Sequence, residues 1–511
     1  MANTAPLNVG IIGAGVAGLS AARLLLAQGR DCTLFERSDR LGGVWAAGYS
    51  NFGAQVQREL YEFPDYPLPD DATDFTPGPV LQKYLEDFAR HFGMWQRIRF
   101  ETTVVEVRER AHGARGWTVL SENGGQRREE EFDLVVMAIG LYSNKPHMPR
   151  FRGQEQFGGE IIHISELDSR ERLVGKKVAV VGFGKSATDA AQESAAVAAQ
   201  TTIVFRETHW PVPQKLLGLL PFKWAMLSRL TSTLIPLYYR PSVAERVVHS
   251  LGKPLVWFWW RLVELLLAAQ CRLGSRFGTR LSLVPRHPVE IDTFGEAVML
   301  PRPQFYPLVR KGVIQARQTE IAEYTPSGVR LQNDESLDLD VLILATGWET
   351  DYTFLSEKAR TSIGFEEDGF YLYRQMVHPD VPDLYFIGSC AATIQSILTY
   401  SLQARWLAEL VGGRHQLPTR DEMRRDIEEL KAWKRRWMPP GGARGARLLL
   451  HMLHYHDQLV MDIGANPRRK RGIFAPFKEA FAPYQASDYR AILSGQWETE
   501  ERSGAGPTAR R

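Results

Sequence analysis

Short apolar runs that end at a glycine recur along this chain. Residues 8–12 form the first run, a glycine-rich turn follows at 13–18, an apolar helical pattern covers 19–28, and a second apolar run ends at Phe35. Residues 176–206 repeat the same order. Short apolar runs that alternate with helical segments are typical of parallel strands covered by helices. The pattern therefore predicts an α/β protein with two Rossmann-like units.

The first glycine-rich turn carries Gly13, Gly15 and Gly18 between the first predicted strand and its helix. These glycines let the backbone approach a pyrophosphate closely, and the start of the helix supplies free N–H groups. Glu36 ends the next strand, about 20 residues on, where a carboxylate can accept both hydroxyls of a ribose. Because a carboxylate repels a 2′-phosphate, the turn predicts FAD or NAD rather than NADP.

A second glycine-containing loop follows at residues 41–45, with the sequence Leu-Gly-Gly-Val-Trp. It resembles the second FAD-contacting loop of flavoproteins that bind two dinucleotides. Gly43 and Trp45 are the candidate contacts within it. The resemblance favours FAD over NAD at the first turn.

The second glycine-rich turn has the pattern GxGxxA and contains Gly182, Gly184, Lys185 and Ser186. The strand that follows its helix ends in Arg206 instead of an acidic residue. An arginine at this position can pair with a 2′-phosphate, which selects NADP over NAD. Lys185 either adds charge to the same phosphate or belongs to a solvated surface pair. The second turn thus predicts an NADPH site.

Two dinucleotide sites with opposite ribose chemistry predict hydride transfer from NADPH to FAD. Two further apolar runs end at Gly140 and Gly347, which are additional candidate cofactor contacts. We therefore expect an FAD domain from two stretches of chain, interrupted by an NADPH domain that carries a helical, aromatic-rich insertion. The predicted boundaries are 1–168 and 336–440 for the FAD domain, 169–335 for the NADPH domain with its insertion at 210–285, and 441–511 for a C-terminal extension.

Several short motifs occur in the order found in the flavin-containing monooxygenases, which belong to the class B flavoprotein monooxygenases. Residues 157–163 resemble the FxGxxxH signature, although Leu167 replaces the aromatic residue that usually closes it. Residues 63–67 resemble an FPDFP stretch, and residues 344–348 resemble an LATGY strand end that includes Thr346. Residues 386–388, which end in Gly388, resemble the C-terminal FAD-domain run. The segment 455–470 is similar to that of fungal and plant-type members.

The resemblance implies a particular reaction for the reduced flavin. In that family it combines with O2 to form a C4a-hydroperoxide, which NADP⁺ shields from water until a soft nucleophile arrives. We therefore expect NADPH- and O2-dependent oxygenation of a small organic substrate at nitrogen or sulfur. Baeyer–Villiger oxidation of a ketone is the first alternative. An NADPH oxidase that transfers no oxygen, and a non-enzymatic flavin-bound sensor protein, are the others.

The resemblance also nominates residues near the flavin. The family carries an asparagine eight residues before the FPDF phenylalanine, and this chain has Gln55 there, with Arg58 where a lysine is common. Gln55 can orient the substrate through its amide, and Arg58 can stabilise a peroxide anion. His163 is either a structural histidine between the domains or a proton-transfer group.

Composition narrows the partners and the location. Lys and Arg sum to 62 and Asp and Glu to 59, and a net charge of +3 does not predict nucleic-acid binding. Three distant cysteines exclude a CxxC dithiol and, with no signal-peptide pattern at the N-terminus, predict a cytoplasmic protein. His451, His454 and His456 are close in sequence but lack the further ligands of a metal site, so no metal is expected. The sequence leaves the oligomeric state open.

The insertion contains the aromatic run Trp257–Trp260. Charged residues interrupt its apolar stretches, so we expect no transmembrane helix. The aromatic run predicts a core helix or the wall of an apolar cavity, with contact to a membrane interface as the alternative. If the run lines the substrate cavity, the substrate is apolar or amphiphilic.

Overall fold

The computed structural model describes residues 7–142, 145–221, 223–224, 227–274, 282–295, 298–299, 302, 304–392, 394–438, 449–450 and 452–497. Within these residues the chain forms two parallel sheets covered by helices, which confirms the α/β fold class with two Rossmann-like units. Two antiparallel three-stranded sheets accompany them. Their strands are Thr103–Glu109, Trp117–Asn123 and Gln126–Phe132 in one, and Ile321–Thr325, Gly328–Leu331 and Ser336–Asp338 in the other.

The first parallel sheet takes strands from distant parts of the chain. Its spatial order is Val377–His378, Val381–Phe386, Leu134–Met137, Asn8–Ile12, Asp31–Phe35 and Ile98–Arg99. Only its first pair is antiparallel. The helices Val16–Ala27 and Ser396–Val411 pack together on the sheet. Because the parallel strands share one direction, the loops after their carboxyl ends meet at one edge, where ligands bind in such folds.

The second sheet has five strands, all parallel. Their spatial order is Ile314–Gln318, Gln200–Phe205, Lys177–Val181, Val341–Leu344 and Glu160–His163. The sheet therefore extends past both ends of the range 169–335, because Glu160–His163 precedes this range and Val341–Leu344 follows it. Val341–Leu344 is fully apolar and pairs with a strand on each side. The helix Lys185–Ala195 follows the central strand.

The segment between the strands Gln200–Phe205 and Ile314–Gln318 contains the helical insertion expected from the sequence. It begins with a hairpin of Lys215–Leu216 and Leu220–Pro221 and continues with helices Arg229–Leu234, Val243–Ser250, Lys253–Cys271 and Val289–Gly295. The remaining α-helices of the described residues are Gly78–His91, Phe305–Arg310, Glu357–Ile363, Arg420–Trp437, Met452–Asp462, Ala475–Phe481 and Arg490–Ser494. Across the described ranges, no helix has both the length and the apolar character needed to cross a bilayer.

Candidate functional site

A cavity of about 770 Å³ lies where the two glycine-rich turns approach each other. One wall comes from the first sheet and the other from the second. The predicted site residues that line it are Gly13, Gly15, Glu36, Gly43, Trp45, Gln55, Gly140, Gly184, Lys185, Ser186 and Gly347. The fold thus brings together residues that are more than 300 positions apart in the sequence.

The first turn has the tight geometry that a pyrophosphate requires. Gly13 adopts a φ of +104°, and a Cβ atom there would lie 2.5 Å from the carbonyl oxygen of Ala138. A Cβ on Gly18 would lie 1.9 Å from the carbonyl oxygen of Gly13, so the turn closes only with glycine at both positions. No side chain caps the helix that begins at Val16, which leaves its first N–H groups for an anion.

Glu36 is a buried carboxylate at the mouth of this turn. It accepts hydrogen bonds from the backbone amides of Ala14 and Ser38, both at 3.0 Å. Because an ionised carboxylate offers about four acceptor positions, two remain for ligand hydroxyls. The geometry fits the ribose of a dinucleotide without a 2′-phosphate.

The loop that contains Gly43 lies directly against the first turn. A Cβ on Gly15 would meet the Cα atom of Gly43 at 3.6 Å. Trp45 continues this wall, stacks on Phe52 with ring centroids 5.7 Å apart, and meets the edge of Tyr61 at 5.4 Å. This part of the cavity is therefore a rigid aromatic surface, suited to an extended planar ring system such as a flavin.

The second turn repeats the geometry of the first. Gly182 has a φ of +124°, and a Cβ there would lie 2.7 Å from the carbonyl oxygen of Ala345. The helix that starts after Gly184 also lacks a side-chain cap. Ser186, in its first turn, lines the cavity. A second pyrophosphate therefore fits here for the same reasons.

Lys185 links the helix of the second turn to Tyr49, in the segment after the Gly43 loop. Its ammonium donates to the Asp189 carboxylate at 2.7 Å and to the Tyr49 hydroxyl at 2.9 Å, and the Tyr49 hydroxyl donates to Asp189 at 2.7 Å. Burial alone lowers the pKa of Lys185, but Tyr49 and Asp189 outweigh it and raise that pKa above its usual value. Burial raises the pKa of Tyr49 to about 12. The cluster is thus a charged lysine held by a carboxylate and a neutral phenol.

Arg206 lies apart from this cluster. It follows the strand Gln200–Phe205, and its side chain is exposed. Its backbone carbonyl accepts a hydrogen bond from the Gln318 side chain at 3.2 Å. Among the residues that the structure describes, the guanidinium makes no ion pair, so it remains available to a phosphate.

The two predicted catalytic residues have different surroundings. Gln55 is exposed and lines the cavity. Arg58 does not line it, because its guanidinium donates to the backbone carbonyls of Pro69 at 2.9 Å, Asp70 at 2.8 Å and Ala72 at 3.2 Å. The catalytic roles of both residues stay predictions.

His163 is completely buried at the end of the strand Glu160–His163 in the second sheet. Its Nε2 donates to the carbonyl oxygen of Gly347 at 3.0 Å, and its Nδ1 accepts from the Ser165 amide at 3.3 Å. Burial lowers its pKa, so the ring is neutral and acts as a structural bridge from residue 163 to residue 347. Leu167, which replaces the expected aromatic residue, is also buried.

Four of the predicted cofactor contacts support the cavity without lining it. Thr346 donates its hydroxyl to the carbonyl oxygen of His147. The Gly388 amide donates to the Gln403 side chain at 3.0 Å, and a Cβ on Gly388 would press on Ala17 at 3.1 Å. Gly18 and Gly182 act through the turn geometry described above. These residues shape the walls rather than face the ligand.

Sequence reasoning missed the residues that join the two turns from the side of residues 49–51. These residues are Tyr49 and Asn51. The side-chain amide of Asn51 donates to the Glu193 carboxylate at 2.9 Å. Asp189 lies one helical turn after Lys185, a spacing that indicates an ion pair and could have been noticed. No sequence feature indicates that Tyr49 and Asn51 contact a helix about 140 residues away, because only the tertiary fold creates that contact.

The predicted histidine group is dispersed. His451 lies outside the described residues. His454 pairs with Glu245, whereas His456 is buried and its Nε2 donates to Thr399 at 2.8 Å. Among the described residues no group of His, Cys, Asp or Glu side chains has the arrangement of a metal site.

The aromatic run of the insertion is not part of the cavity wall. Trp260 is buried and its indole donates to the Leu234 carbonyl at 2.7 Å, whereas Trp257 and Phe258 are exposed. The prediction of an apolar or amphiphilic substrate therefore has no support from contacts in this structure.

Comparison with known proteins identifies the family. The family described as flavin-binding monooxygenase-like matches residues 7–250 and 306–505. The chain belongs to this family and is a flavin-dependent monooxygenase. A probable flavin-containing monooxygenase 1 of Arabidopsis thaliana is 30% identical over 541 residues, which cover 96% of this chain and 97% of the relative. The N-oxide-forming dimethylaniline monooxygenase 2 of Mus musculus is 28% identical, over 96% of this chain and 89% of its own.

Solved structures share the fold at lower identity. The S-allyl-L-cysteine S-oxygenase of Allium sativum superimposes with a TM-score of 0.62 and 19% identity, over 98% of this chain and 94% of its own. A structure of OTEMO in complex with FAD and NADP superimposes with a TM-score of 0.69 and 19% identity, over 89% of this chain and 97% of its own. Both similarities support the two-domain architecture described above.

Proposed function

We propose that this protein uses NADPH, FAD and O2 to insert one oxygen atom into a small organic substrate at nitrogen or sulfur. The observation that carries the proposal is the single cavity lined by both glycine-rich turns. With FAD at one turn and NADPH at the other, the hydride donor and the flavin would share this cavity. The bound flavin, once reduced, supplies the chemistry that activates oxygen.

The first turn is assigned to FAD. The uncapped helix at Val16 and the loop at Gly13 and Gly15 hold the pyrophosphate, and Glu36 accepts the ribose hydroxyls. Gly43 and Trp45 contribute the adjoining wall. This assignment agrees with the family, whose members bind flavin.

The second turn is assigned to NADPH. The uncapped helix at Lys185 receives the pyrophosphate, and the exposed Arg206 pairs with the 2′-phosphate. The contacts of Lys185 with Asp189 and Tyr49 support a second role for this residue, which is to hold the NADPH helix against the flavin side of the cavity. Gly347 and Ser186 complete the wall.

For the oxygen-transfer step we propose that Gln55 orients the substrate, because its exposed amide lies in the cavity wall. The contacts of Arg58 support a different role, since they hold the carbonyls of the loop at residues 69–72. The aromatic wall at Trp45, Phe52 and Tyr61 would exclude water from the flavin side of the cavity, where the bound cofactor would supply the oxygen chemistry.

We also propose the predicted domain division, an FAD domain in two stretches around an NADPH domain, with the range 169–335 widened to include the strands Glu160–His163 and Val341–Leu344. We also propose a cytoplasmic location, which the free thiols of Cys32, Cys271 and Cys390 support. The small-molecule substrate and O2 are its reactants.

The test is a product analysis with purified protein, NADPH and air, using a thioether, a tertiary amine and a cyclic ketone in parallel. The expected result is an S-oxide or N-oxide formed in step with NADPH consumption. An ester or lactone from the ketone alone would replace the proposal with Baeyer–Villiger oxidation. Hydrogen peroxide equal to the NADPH consumed, with no oxygenated product from any substrate, would replace it with an oxidase.

A further inference from the structure

The helix Lys253–Cys271 has two apolar faces, of which only one is buried. Val256, Trp260, Val263 and Leu267 pack into the insertion. On the other side Leu255 is 70% exposed, Phe258 is 58% exposed and Leu265 is 65% exposed, and Trp257 lies on the flank. A helix that is apolar all round is normally buried in protein or in lipid. We therefore expect the exposed face of this helix to contact an apolar partner.

The hairpin of the insertion lies beside this helix. Gln270 fastens it with two hydrogen bonds, because its amide donates to the Lys215 carbonyl and its oxygen accepts from the Leu217 amide, both at 2.8 Å. The hairpin tip presents three leucines, and Leu219 is 83% exposed. We define the apolar surface as the exposed residues of the helix and the hairpin: Leu217, Leu219, Leu220, Leu255, Trp257, Phe258 and Leu265.

The exposed charges of the insertion have one sign. Within the described part of residues 208–274, the exposed charged side chains are Lys215, Arg240, Arg246, Lys253 and Arg272. Arg240 forms ion pairs with Asp426 and Glu429, so the basic rim consists of the other four residues. The two acidic residues of this segment are turned inward, since Glu245 pairs with His454 and Glu264 pairs with Arg261. The whole chain has nearly equal numbers of acidic and basic residues, so this separation is local.

A second exposed apolar segment has the same character and is attached to another helix of the insertion, Arg229–Leu234. Ile473, Phe474 and Phe477 are exposed, and the charged residues exposed around them are Arg468, Arg471 and Lys478. The acidic Glu479 is buried and accepts from Arg229 at 3.1 Å, which ties this segment to the insertion.

We propose that the apolar surface docks on a lipid bilayer whose headgroups carry negative charge. Exposed leucines and aromatic rings enter the boundary between headgroups and acyl chains, and the basic rim faces the anionic headgroups. Trp257 suits this depth because its ring has an apolar body and a polar N–H. A second copy of the chain fits less well, since a symmetric contact would bring two basic rims together.

The test uses sedimentation of the full-length protein with vesicles of phosphatidylcholine, alone or mixed with phosphatidylglycerol. The expected result is binding to the mixed vesicles that weakens as salt is raised. The double variant L219D/F258D should lose binding. Lys253→Gln and Arg272→Gln should each weaken it about fivefold, because each removes one charge near the surface. Matched controls are V174D and Lys311→Gln, which change an exposed valine and an exposed lysine of the second sheet's domain.

Each variant is first checked for bound flavin and thermal unfolding, so that a folding defect is not read as lost binding. Equal sedimentation of wild type with both vesicle types, or with neither, would overturn the proposal. The molecular mass of the wild-type protein in solution tests whether the apolar surface instead binds a second copy of the chain. A dimer that L219D/F258D converts to a monomer, without vesicle binding, would assign the apolar surface to a second copy instead.

Discussion

The hydroxyl of Tyr49 lies 2.9 Å from the ammonium of Lys185, and this contact joins the segment after the Gly43 loop to the helix of the second turn, beside the cavity. Both side chains also hold Asp189, so the three groups form one hydrogen-bonded cluster. Asn51 reinforces the junction through Glu193. Hydride transfer would require bound NADPH and FAD to lie close together, and these contacts would help to hold the helix of the second turn beside the flavin side of the cavity.

Tyr49→Phe removes the hydroxyl from this cluster and keeps the ring. We expect the free energy of unfolding to fall by about 1–2 kcal/mol, because two buried polar groups lose a partner. We also expect NADPH to reduce the flavin more slowly, since the turns are less firmly joined. Urea unfolding and rapid mixing with NADPH, followed at the flavin absorbance, measure the two effects.

Tyr324→Phe is the matched control, because its buried hydroxyl has no hydrogen-bond partner among the described residues. This variant should reduce its flavin at the wild-type rate. A Tyr49→Phe enzyme that is destabilised but reduced at the normal rate would contradict the positioning role of the cluster.

Arg206→Ala tests the selectivity for NADPH. The lost charge-assisted pair is worth about 1.5–3 kcal/mol, so we expect the apparent affinity for NADPH to fall roughly 10- to 150-fold and that for NADH to change little. Steady-state kinetics with both nucleotides measure this ratio. Arg420→Ala, an exposed arginine at the start of the helix Arg420–Trp437, should leave it unchanged. Equal weakening of NADPH and NADH would refute the pairing.

Glu36→Gln tests the first site. The neutral amide has fewer acceptor positions than the carboxylate, which already binds the amides of Ala14 and Ser38. We expect the variant to be purified with less FAD and to bind added FAD about tenfold or more weakly, as a lost hydrogen bond to a charged group implies. Asp133→Asn is the control, because Asp133 accepts from the Asn8 backbone amide at the start of the neighbouring strand Asn8–Ile12, at the end of the sheet away from the turn. Normal FAD content in Glu36→Gln would exclude the ribose assignment.

His456 should make the fold sensitive to acid. Burial lowers its pKa to about 3 from an ordinary value of 6.5, and its Nδ1 has no partner within the described residues. The unfolded state therefore binds the proton more readily, so stability is lost as pH falls from 6.5 toward 3. One such proton contributes up to about 1.4 kcal/mol per pH unit.

The measurement is the free energy of unfolding in urea at several pH values below 6.5 for wild type and His456→Gln. Glutamine keeps a donor for Thr399 but does not titrate, so its stability should fall less steeply with acid. His91→Gln changes an exposed histidine and should follow the wild-type slope. Identical slopes for wild type and His456→Gln would show that another group controls the acid sensitivity.

Trp260→Ala and Trp257→Ala separate the two roles of the aromatic run. Trp260 is buried and bonded to the Leu234 carbonyl, so its loss should cost about 3–5 kcal/mol of stability. Trp257 is exposed, and its replacement should leave the melting temperature nearly unchanged. Because neither residue lines the cavity, the KM for substrate should be unaffected in Trp257→Ala. A raised KM in that variant would restore the run as part of the substrate path.

Local rules were sufficient for the two dinucleotide units. The short apolar runs, the glycines at 13, 15 and 18, and the residue types at positions 36 and 206 depend on neighbours within about 30 positions. They predicted the two Rossmann-like units and their turns. The short motifs, read as a resemblance, predicted the flavin monooxygenase family. These features can be predicted from the sequence because each strand, turn and helix is determined by residues that are close together along the chain.

Tertiary structure decided what the distant side chains do. Arg58 turned toward the carbonyls of its own loop, Lys185 turned toward Tyr49, and the strands Glu160–His163 and Val341–Leu344 joined the second sheet. The sequence indicated that the insertion is apolar and helical. It did not indicate which faces of its helices are buried. Such outcomes depend on the competition among long-range partners for each polar group and each apolar face, and only the folded chain brings those partners together.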